Sequence, residues 1–355
     1  MKVFDNRILG ASGGAGMKNL HELPKFADKL SYLYVEHAVV DQQEKAIAVH
    51  DADGTTPVPA ASLAVLMLGP GTKITHAAVR TLADNNCQVL WLGEHGVRFY
   101  AHGLGGARHS RNLLRQAQLL AGDLTRLQVV VRMYCLRFGQ APDPDLTLQQ
   151  VRGKEGIRVR QAYAQASATY GVAWHGRSYK RTEWSRADPV NRALSAANSC
   201  LYGLVHAAVL SGGYSPALGF IHSGKQLSFV YDIADLYKVE FTIPAAFEVT
   251  AAGGGELERR VRLTCRDRFR QGRLMERILP DIQTVLDVPA EQAGAEDEFA
   301  ADEARPAELW QPAGVPADMP IGRILKLDAA ALRAERRNQD HGRDDSGTGH
   351  AVSAG

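Results

Sequence analysis

The first candidates for chemistry are two carboxylates in the segment Phe-Val-Tyr-Asp-Ile-Ala-Asp-Leu, residues 229–236. Asp232 and Asp235 are three residues apart, which places them one turn apart on a helix. Two carboxylates at this spacing repel each other unless a cation lies between them. The ordinary alternative is an acidic, solvated face opposite the apolar side of the same helix.

His222 adds a nitrogen ligand to this pair. It lies in the glycine-flanked segment Gly-Phe-Ile-His-Ser-Gly-Lys, ten residues before Asp232. Imidazole and carboxylate together suit Mg²⁺, Mn²⁺ or another divalent ion with open coordination positions. A single loop histidine is more often structural, so both interpretations stay open at this point.

Glu155 is a third acidic candidate, and it is surrounded by arginines. The segment Val-Arg-Gly-Lys-Glu-Gly-Ile-Arg-Val-Arg places Arg152, Arg158 and Arg160 close to it in sequence. A carboxylate among arginines suits a site that must hold both a metal ion and a phosphodiester. Taken alone, it is more typical of a surface glutamate paired with a neighbouring arginine.

The bulk properties predict two domains plus tails in a cytoplasmic protein. A chain of 355 residues exceeds one typical domain, and 45% apolar residues can supply real cores. The four cysteines contain no CxxC pair, which suits a reducing compartment and argues against a thiolate zinc site or a disulfide framework. Apolar runs break within about ten residues, which is short of the ~20 needed for a membrane span. The sequence predicts no membrane partner and no signal peptide.

The charge distribution points to a polyanionic partner. The net charge is +2, yet residues 281–355 hold 15 acidic and 7 basic residues and carry −8, which leaves +10 on the rest. Arginine outnumbers lysine 30 to 11, and arginine binds phosphate in the bidentate manner. Mild basicity alone is common, so this is supporting evidence only.

Periodicity predicts an α+β fold, in which a small β-rich N-terminal domain precedes an all-α catalytic domain. Strands are expected at 31–37, 46–51, 63–68, 88–92 and 97–101, with one helix at 76–85. Helices are expected around 113–120, 127–138, 156–170, 189–211, 227–238 and 256–286, the last broken near 271–272. The predicted organisation is a flexible leader (1–19), the β-rich domain (20–102), a hinge (103–110), the helical metal-binding domain (111–288) and an acidic, largely disordered tail (289–355).

Three of these segments are similar to the signature of the CRISPR-associated adaptation integrases, the family often called Cas protein one. They are residues 152–156, 219–225 and 228–235. Residues 67–80, 93–98, 136–139 and 261–267 resemble the subtype that accompanies the Cascade (type I-E) system. The similarity runs in order from about Leu20 to Leu286, which is harder to obtain by chance than any single motif.

The resemblance implies a metal-dependent DNA integrase and endonuclease that serves antiviral defence by inserting short foreign DNA as new spacers at the leader–repeat junction. The metal ligands for Mg²⁺ or Mn²⁺ would be Glu155, His222 and Asp235, and Asp232 would be a supporting acidic residue of the catalytic site, one turn away from Asp235. A 3′-hydroxyl would attack a phosphodiester, so no protein nucleophile is needed. The alternatives are a non-catalytic DNA-binding scaffold on the same fold and a metal phosphohydrolase acting on small phosphate esters.

The resemblance also implies partners and DNA contacts. The partners would be double-stranded DNA (a protospacer with 3′ overhangs, and the CRISPR array), a second copy in a homodimer, and a small ferredoxin-like Cas subunit in a 4:2 complex. The implied DNA-binding residues are His37, Arg80, Arg98, Tyr179, Trp184, Tyr202, Lys225, Lys238, Arg259 and Arg262. For each of them a solvated, salt-bridged or buried structural role is the alternative.

Overall fold

The N-terminal part of the chain forms two four-stranded sheets in the computed structural model, which describes residues 30–44, 46–93, 98–103, 110–177 and 188–288. The first sheet has the order β1-β5-β7-β8, with β1 (Leu30–Val35), β5 (Leu63–Leu68), β7 (Gln88–Leu92) and β8 (Phe99–His102). The second has the order β4-β3-β2-β6, with β2 (Val39–Gln43), β3 (Ala46–Asp51), β4 (Gly54–Val58) and β6 (Lys73–Ile74). Strands β1, β5 and β7 are parallel, and helix α1 (His76–Asp84) connects β6 to β7.

Strand β5 joins the two halves of the molecule because both of its faces are buried. All six of its residues, Leu-Ala-Val-Leu-Met-Leu, are buried, as expected for a central parallel strand. Val65 and Met67 pack into the helical core, whereas Leu66 and Leu68 pack against the second sheet and α1. Gly203 allows the helix above to approach this closely, since a Cβ there would collide with the Met67 side chain.

The C-terminal part is helical. Its described helices are α2 (Arg111–Ala121), α3 (Asp123–Phe138), α4 (Leu148–Tyr170), α5 (Pro189–Ser211), α6 (Ser228–Ala234), α7 (Ile243–Ala251), α8 (Leu257–Gln271) and α9 (Leu274–Leu286). Helix α5 is the central element, because it packs against α6, α7, α8, α9 and strand β5. Asp188 begins it by accepting a hydrogen bond from the Asn191 N–H, and Pro189 occupies its first turn.

Helix α5 also meets the length and hydropathy of a membrane span, contrary to the expectation that apolar runs are too short. In the described part of the chain it is the single helix that does so, and 83% of an apolar 18-residue stretch of this helix is buried within the protein. Its apolar surface is therefore taken up by packing against the neighbouring elements. The four cysteines are free, as expected from their spacing.

The α+β fold class predicted from the periodicity is confirmed, and several boundaries are corrected. Helix α4 begins at Leu148, because Thr147 and Gln150 form a capping box, so Glu155 lies within the helix and not ahead of it. Helix α6 ends at Ala234, and a π-helical turn at Lys238–Thr242 follows where a continuous helix to Lys238 was expected.

Strands β2, β4 and β6 and helix α7 were not predicted. The predicted leader, the tail and residues 104–109 of the hinge lie outside the described residues.

Candidate functional site

Three separate elements carry the four candidate catalytic side chains. Helix α4 carries Glu155 two turns after its capping box, and the loop between α5 and α6 carries His222. Helix α6 carries Asp232 and ends at its C-cap, Asp235. Side chains far apart in sequence thus meet where the α5–α6 loop crosses the end of α6.

Asp232 organises the α5–α6 loop from beneath. Its carboxylate is fully buried and accepts the backbone N–H groups of Phe220 (2.6 Å), Ile221 (3.0 Å) and His222 (2.9 Å). The loop closes tightly over α6 at Gly219, where a Cβ would lie 2.6 Å from the Ser228 Cβ. The interpretation of Asp232 as part of a solvated acidic face is therefore wrong, since loop amides surround it and not water.

Asp232 also sets the orientation of the His222 ring. His222 Nδ1 lies 2.7 Å from Asp232 Oδ1, and because a carboxylate only accepts hydrogen bonds, Nδ1 carries the proton and donates it. In the neutral ring the other nitrogen, Nε2, has a lone pair, and it lies 4.0 Å from Asp235 Oδ2. The hydrogen bond that the ring donates to Asp232 raises the pKa of His222 and outweighs the opposing effect of burial.

Asp235 is held between two basic side chains. Its Oδ1 lies 2.6 Å from Lys238 Nζ, and its Oδ2 lies 3.4 Å from Arg137 Nη2. Burial raises the pKa of Asp235, but Lys238 and Arg137 outweigh it and hold the pKa below its usual value. Asp235 is therefore ionised at neutral pH. The π-helical turn that begins at Lys238 is of the kind often found at functional sites.

Glu155 is engaged by arginines on two sides. Arg158, one turn later on α4, donates to both of its carboxylate oxygens at 2.8 and 3.0 Å. Arg137 Nη1 lies 3.6 Å from Glu155 Oε1 on the buried side. The pairing with a nearby arginine, which was one of the two interpretations of this residue, is thus present in the structure.

The donor atoms suit a divalent ion in type, and part of the required geometry is already present. An ion about 2.1 Å from each of two ligands can bridge atoms up to about 4.2 Å apart, and His222 Nε2 and Asp235 Oδ2 fall within that separation. Across the described ranges, however, no three His, Cys, Asp or Glu side chains are gathered where a metal ion could bind. Glu155 would have to turn away from Arg158 to join the other two ligands.

Several of the predicted DNA-binding residues lie beside this site. Lys238 Nζ is 5.0 Å from the centre of the Tyr202 ring, and Tyr202 in turn packs edge-on against Tyr231. Lys225 is exposed in the α5–α6 loop, three residues after His222, whose side chain is 43% exposed. The structure thus places Lys238, with Tyr202 beside it, against Asp235, and it places Lys225 in the same loop as His222. The candidate catalytic residues are here called the catalytic group: Glu155, His222, Asp232 and Asp235.

Helix α8 presents two further predicted contacts. Arg259 is paired with Glu256 at 2.9 Å, and the Arg262 guanidinium lies 4.4 Å above the Tyr34 ring of strand β1. The Arg262 carbonyl also accepts the Tyr32 hydroxyl at 2.6 Å, which fixes α8 against the sheet. Both arginines therefore have partners already.

The remaining predicted contacts lie in the N-terminal part or outside the described residues. His37 is exposed with a positive φ of 51°, and Arg98 is exposed just before β8. Arg80 is exposed on α1 and 3.6 Å from Asp84. Tyr179 and Trp184 lie outside the described residues.

Arg137 is a residue of this site to which the sequence analysis gave no role. It lies in the last turn of α3, within the segment Leu-Arg-Phe-Gly that contributed to the family resemblance. Nothing in its local sequence shows that its side chain is buried between two carboxylates. Only long-range contacts, to Glu155 and Asp235, define its place.

Comparison with known proteins gives a consistent set of relatives. The family model described as CRISPR associated protein Cas1 matches residues 137–253, which include all four candidate catalytic residues. The chain is 54% identical to "CRISPR-associated endonuclease Cas1 2" of Thermus thermophilus, over 82% of this chain and 90% of that one. It is also similar to the crystal structure of TtCas1 (55% identity, TM-score 0.68, covering 74% of this chain and 99% of the other). The TtCas1–DNA complex is similar as well, at 55% identity and a TM-score of 0.56, covering 75% of this chain and all of that one.

Proposed function

This chain belongs to the family of CRISPR-associated Cas1 proteins, and we propose that it is a divalent-metal-dependent DNA integrase and endonuclease of CRISPR adaptation. The proposed reaction inserts a short foreign DNA duplex as a new spacer at the leader–repeat junction. The relatives named as endonucleases and the structure of TtCas1 with DNA support a nuclease that acts on DNA.

One observation carries the proposal. Buried Asp232 holds both the backbone and the Nδ1–H of His222, and this leaves His222 Nε2 free and 4.0 Å from the ionised Asp235 carboxylate. A histidine whose second nitrogen donates to a carboxylate is the usual arrangement of a metal-ligating imidazole. Glu155 supplies the third ligand, through a carboxylate oxygen, once it leaves Arg158.

The proposed chemistry needs no covalent intermediate with the protein. The 3′-hydroxyl of the incoming DNA gives up its proton to solvent, and its oxygen forms a new bond to phosphorus. The bond to the displaced 3′ oxygen breaks, and that oxygen takes up a proton from solvent. When bound, Mg²⁺ or Mn²⁺ lowers the pKa of the attacking hydroxyl and neutralises charge on the phosphoryl oxygens. Lys238 and Arg158, each paired with one of the proposed metal ligands, would bind a phosphate oxygen once the ion takes their place.

The surface around the site suits a DNA backbone. Lys238 contacts Asp235, Lys225 is exposed in the loop that carries His222, and Arg259 and Arg262 lie on α8. Tyr202 offers a ring on which an unpaired base can stack. A homodimer, a small ferredoxin-like Cas subunit in a 4:2 complex and a cytoplasmic location complete the proposal, and these rest on the sequence resemblance.

A second candidate, a non-catalytic DNA-binding scaffold, is favoured by one specific observation. Glu155 and Asp235 are each already paired with basic side chains, as in a structural ion-pair network. A scaffold would use the same fold and basic surface without needing an ion. The two candidates differ in whether DNA is joined or only bound.

The decisive experiment is an integration assay with metal removal. A labelled duplex with 3′ overhangs is incubated with a supercoiled plasmid that carries a CRISPR array, together with the small partner subunit. Labelled, nicked plasmid is expected with Mn²⁺, and its formation should cease when a chelator removes the ion, because the phosphoryl charge is then uncompensated. Equal product with the chelator contradicts metal dependence, whereas DNA binding without product under any condition favours the scaffold.

Replacing Arg259 and Arg262 together by Ala should weaken binding to unrelated DNA duplexes and flatten its salt dependence. Each phosphate contact contributes about 0.9 to the slope of log affinity against log salt, so the loss of two should lower the slope by about 1.8. Fluorescence anisotropy between about 50 and 200 mM salt measures this slope. Replacing Arg273 and Arg277 by Ala removes the same charge elsewhere and is the control. An equal change in both pairs would mean that only net charge matters.

A further inference from the structure

Three basic side chains contact the carboxylates of the catalytic group, and Arg137 is the most deeply buried of them. Its side chain is 5% exposed, and it stacks over the ring of Tyr134 one turn earlier on α3. Gly139 ends this helix in the left-handed conformation (φ 70°), two residues after the arginine. The guanidinium is therefore buried at the C-terminal end of α3, on the interior side of the site.

The guanidinium reaches two of the proposed metal ligands at once. Nη1 is 3.6 Å from Glu155, and Nη2 is 3.4 Å from Asp235 and 3.3 Å from the Asp232 carbonyl oxygen. These distances exceed the ~2.8 Å of a strong charge-assisted hydrogen bond. Within the described residues its Nε is buried and has no hydrogen-bond partner. Arg137 therefore sits centrally between carboxylates without matching any one of them closely.

The outer basic side chains make shorter contacts from more exposed positions. Arg158 holds Glu155 at 2.8 Å with 28% of its side chain exposed, and Lys238 holds Asp235 at 2.6 Å with 25% exposed. Both can turn into solvent when an ion or a phosphate arrives. Arg137 has no such route, because the protein encloses it.

We propose that Arg137 is a positioning residue that stands in for the divalent cation: it compensates Glu155 and Asp235 until the ion binds, and it remains beneath them afterwards. This inference rests on the metal site of the proposed function. Together, Arg137, Arg158 and Lys238 balance the three carboxylates of Glu155, Asp232 and Asp235. Without Arg137, two mostly buried carboxylates would face each other across α4 and α6 with less positive charge between them.

The first test is a cycle of melting temperatures on the purified, metal-free chain. Arg137→Met keeps the length of the side chain and removes its charge, and it should lower the Tm by several degrees. In a background that carries Glu155→Gln and Asp235→Asn, the same change should lower the Tm by much less, because the two carboxylates that Arg137 compensates are absent. An equal loss in both backgrounds, or failure to fold in both, would overturn the proposal. Failure to fold only where the carboxylates are present supports it.

The second test titrates Mn²⁺ against the Tm of each variant. Because the ion supplies the charge that Arg137→Met lacks, the Mn²⁺-induced rise in Tm should exceed that of the wild-type chain, with half-saturation at several-fold lower Mn²⁺. Arg137→Lys keeps one positive charge but loses the planar guanidinium that reaches two carboxylates at once. Its Mn²⁺-induced rise in Tm should fall between those of the wild-type chain and of Arg137→Met. Arg192→Met is the control, since it breaks a 2.6 Å ion pair with Glu258 away from the site and should leave the Mn²⁺-induced rise unchanged.

The outcomes separate the inference from the proposed function. An equal Mn²⁺-induced rise in the wild-type chain and in Arg137→Met overturns the stand-in role alone. No rise in any variant overturns the metal site and the stand-in role with it. A larger rise in Arg137→Met than in the wild-type chain, together with an unchanged rise in Arg192→Met, supports both.

Discussion

Asp235→Asn, Glu155→Gln and His222→Ala should each lower the rate of DNA integration about a thousand-fold or more while the chain stays folded. Each change removes one proposed ligand of the ion. Metal catalysis contributes several kcal/mol to the transition state, and each ~1.4 kcal/mol is a factor of ten in rate. Glu155 and Asp235 are mostly buried but are paired with basic side chains, and His222 is 43% exposed, so all three contribute little to apolar core packing. Product formation with Mn²⁺ measures the loss of integration, and thermal melting of the same preparations shows whether the chain stays folded.

The matched control is Glu240→Gln, which removes a carboxylate that is also paired with an arginine. Glu240 lies 2.7 Å from Arg277 on the outer surface of the π-helical turn, close in sequence to Asp235 but outside the catalytic group. It should integrate DNA at the wild-type rate. If the three site variants also integrate at that rate, the proposed ligand set is wrong, and loss of activity in the control as well would point to general damage.

The sequence predicted the parts of the fold in which local pattern and burial agree. Strand β5 is apolar at every position and was recognised as a buried strand, and it is. Strand β4, Gly-Thr-Thr-Pro-Val, was missed because it is largely polar and contains Pro57. It pairs only with β3 at the edge of its sheet, where a proline is tolerated. What identifies such a strand is its neighbour, which the local sequence does not show.

The candidate site divides in the same way between local and long-range information. The spacing of Asp232 and Asp235 was readable, but their different environments were not. The segment ending at His222 folds back over α6 and buries Asp232, whereas Asp235 lies beside Lys238. Arg137 lies 18 residues before Glu155 and 98 before Asp235, so no periodicity connects it to either. Contacts of this range follow from packing between helices.

Asp232→Ala should reduce the free energy of unfolding by at least about 3 kcal/mol, a larger loss than for any other single change at the site. Three backbone N–H groups and the His222 ring lose their acceptor together, and each buried donor left without a partner costs about 1–3 kcal/mol. Urea denaturation of the metal-free chain measures the loss. Integration should also fall, because the His222 ring is then free to turn away from Asp235.

The comparison with Asp235→Asn makes the result specific to position rather than to charge. Both changes remove one carboxylate at α6, yet in the described part of the chain the Asp235 carboxylate is contacted by side chains and not by backbone N–H groups, and one of them, Lys238, is partly exposed. Its loss should therefore change the free energy of unfolding by much less. Asp232→Asn is informative as well, since its amide keeps one acceptor but turns two N–H donors towards a cluster of donors. Equal stability of the Asp232 and Asp235 variants would show that Asp232 does not hold the loop, and its assignment beneath His222 would then have to be abandoned.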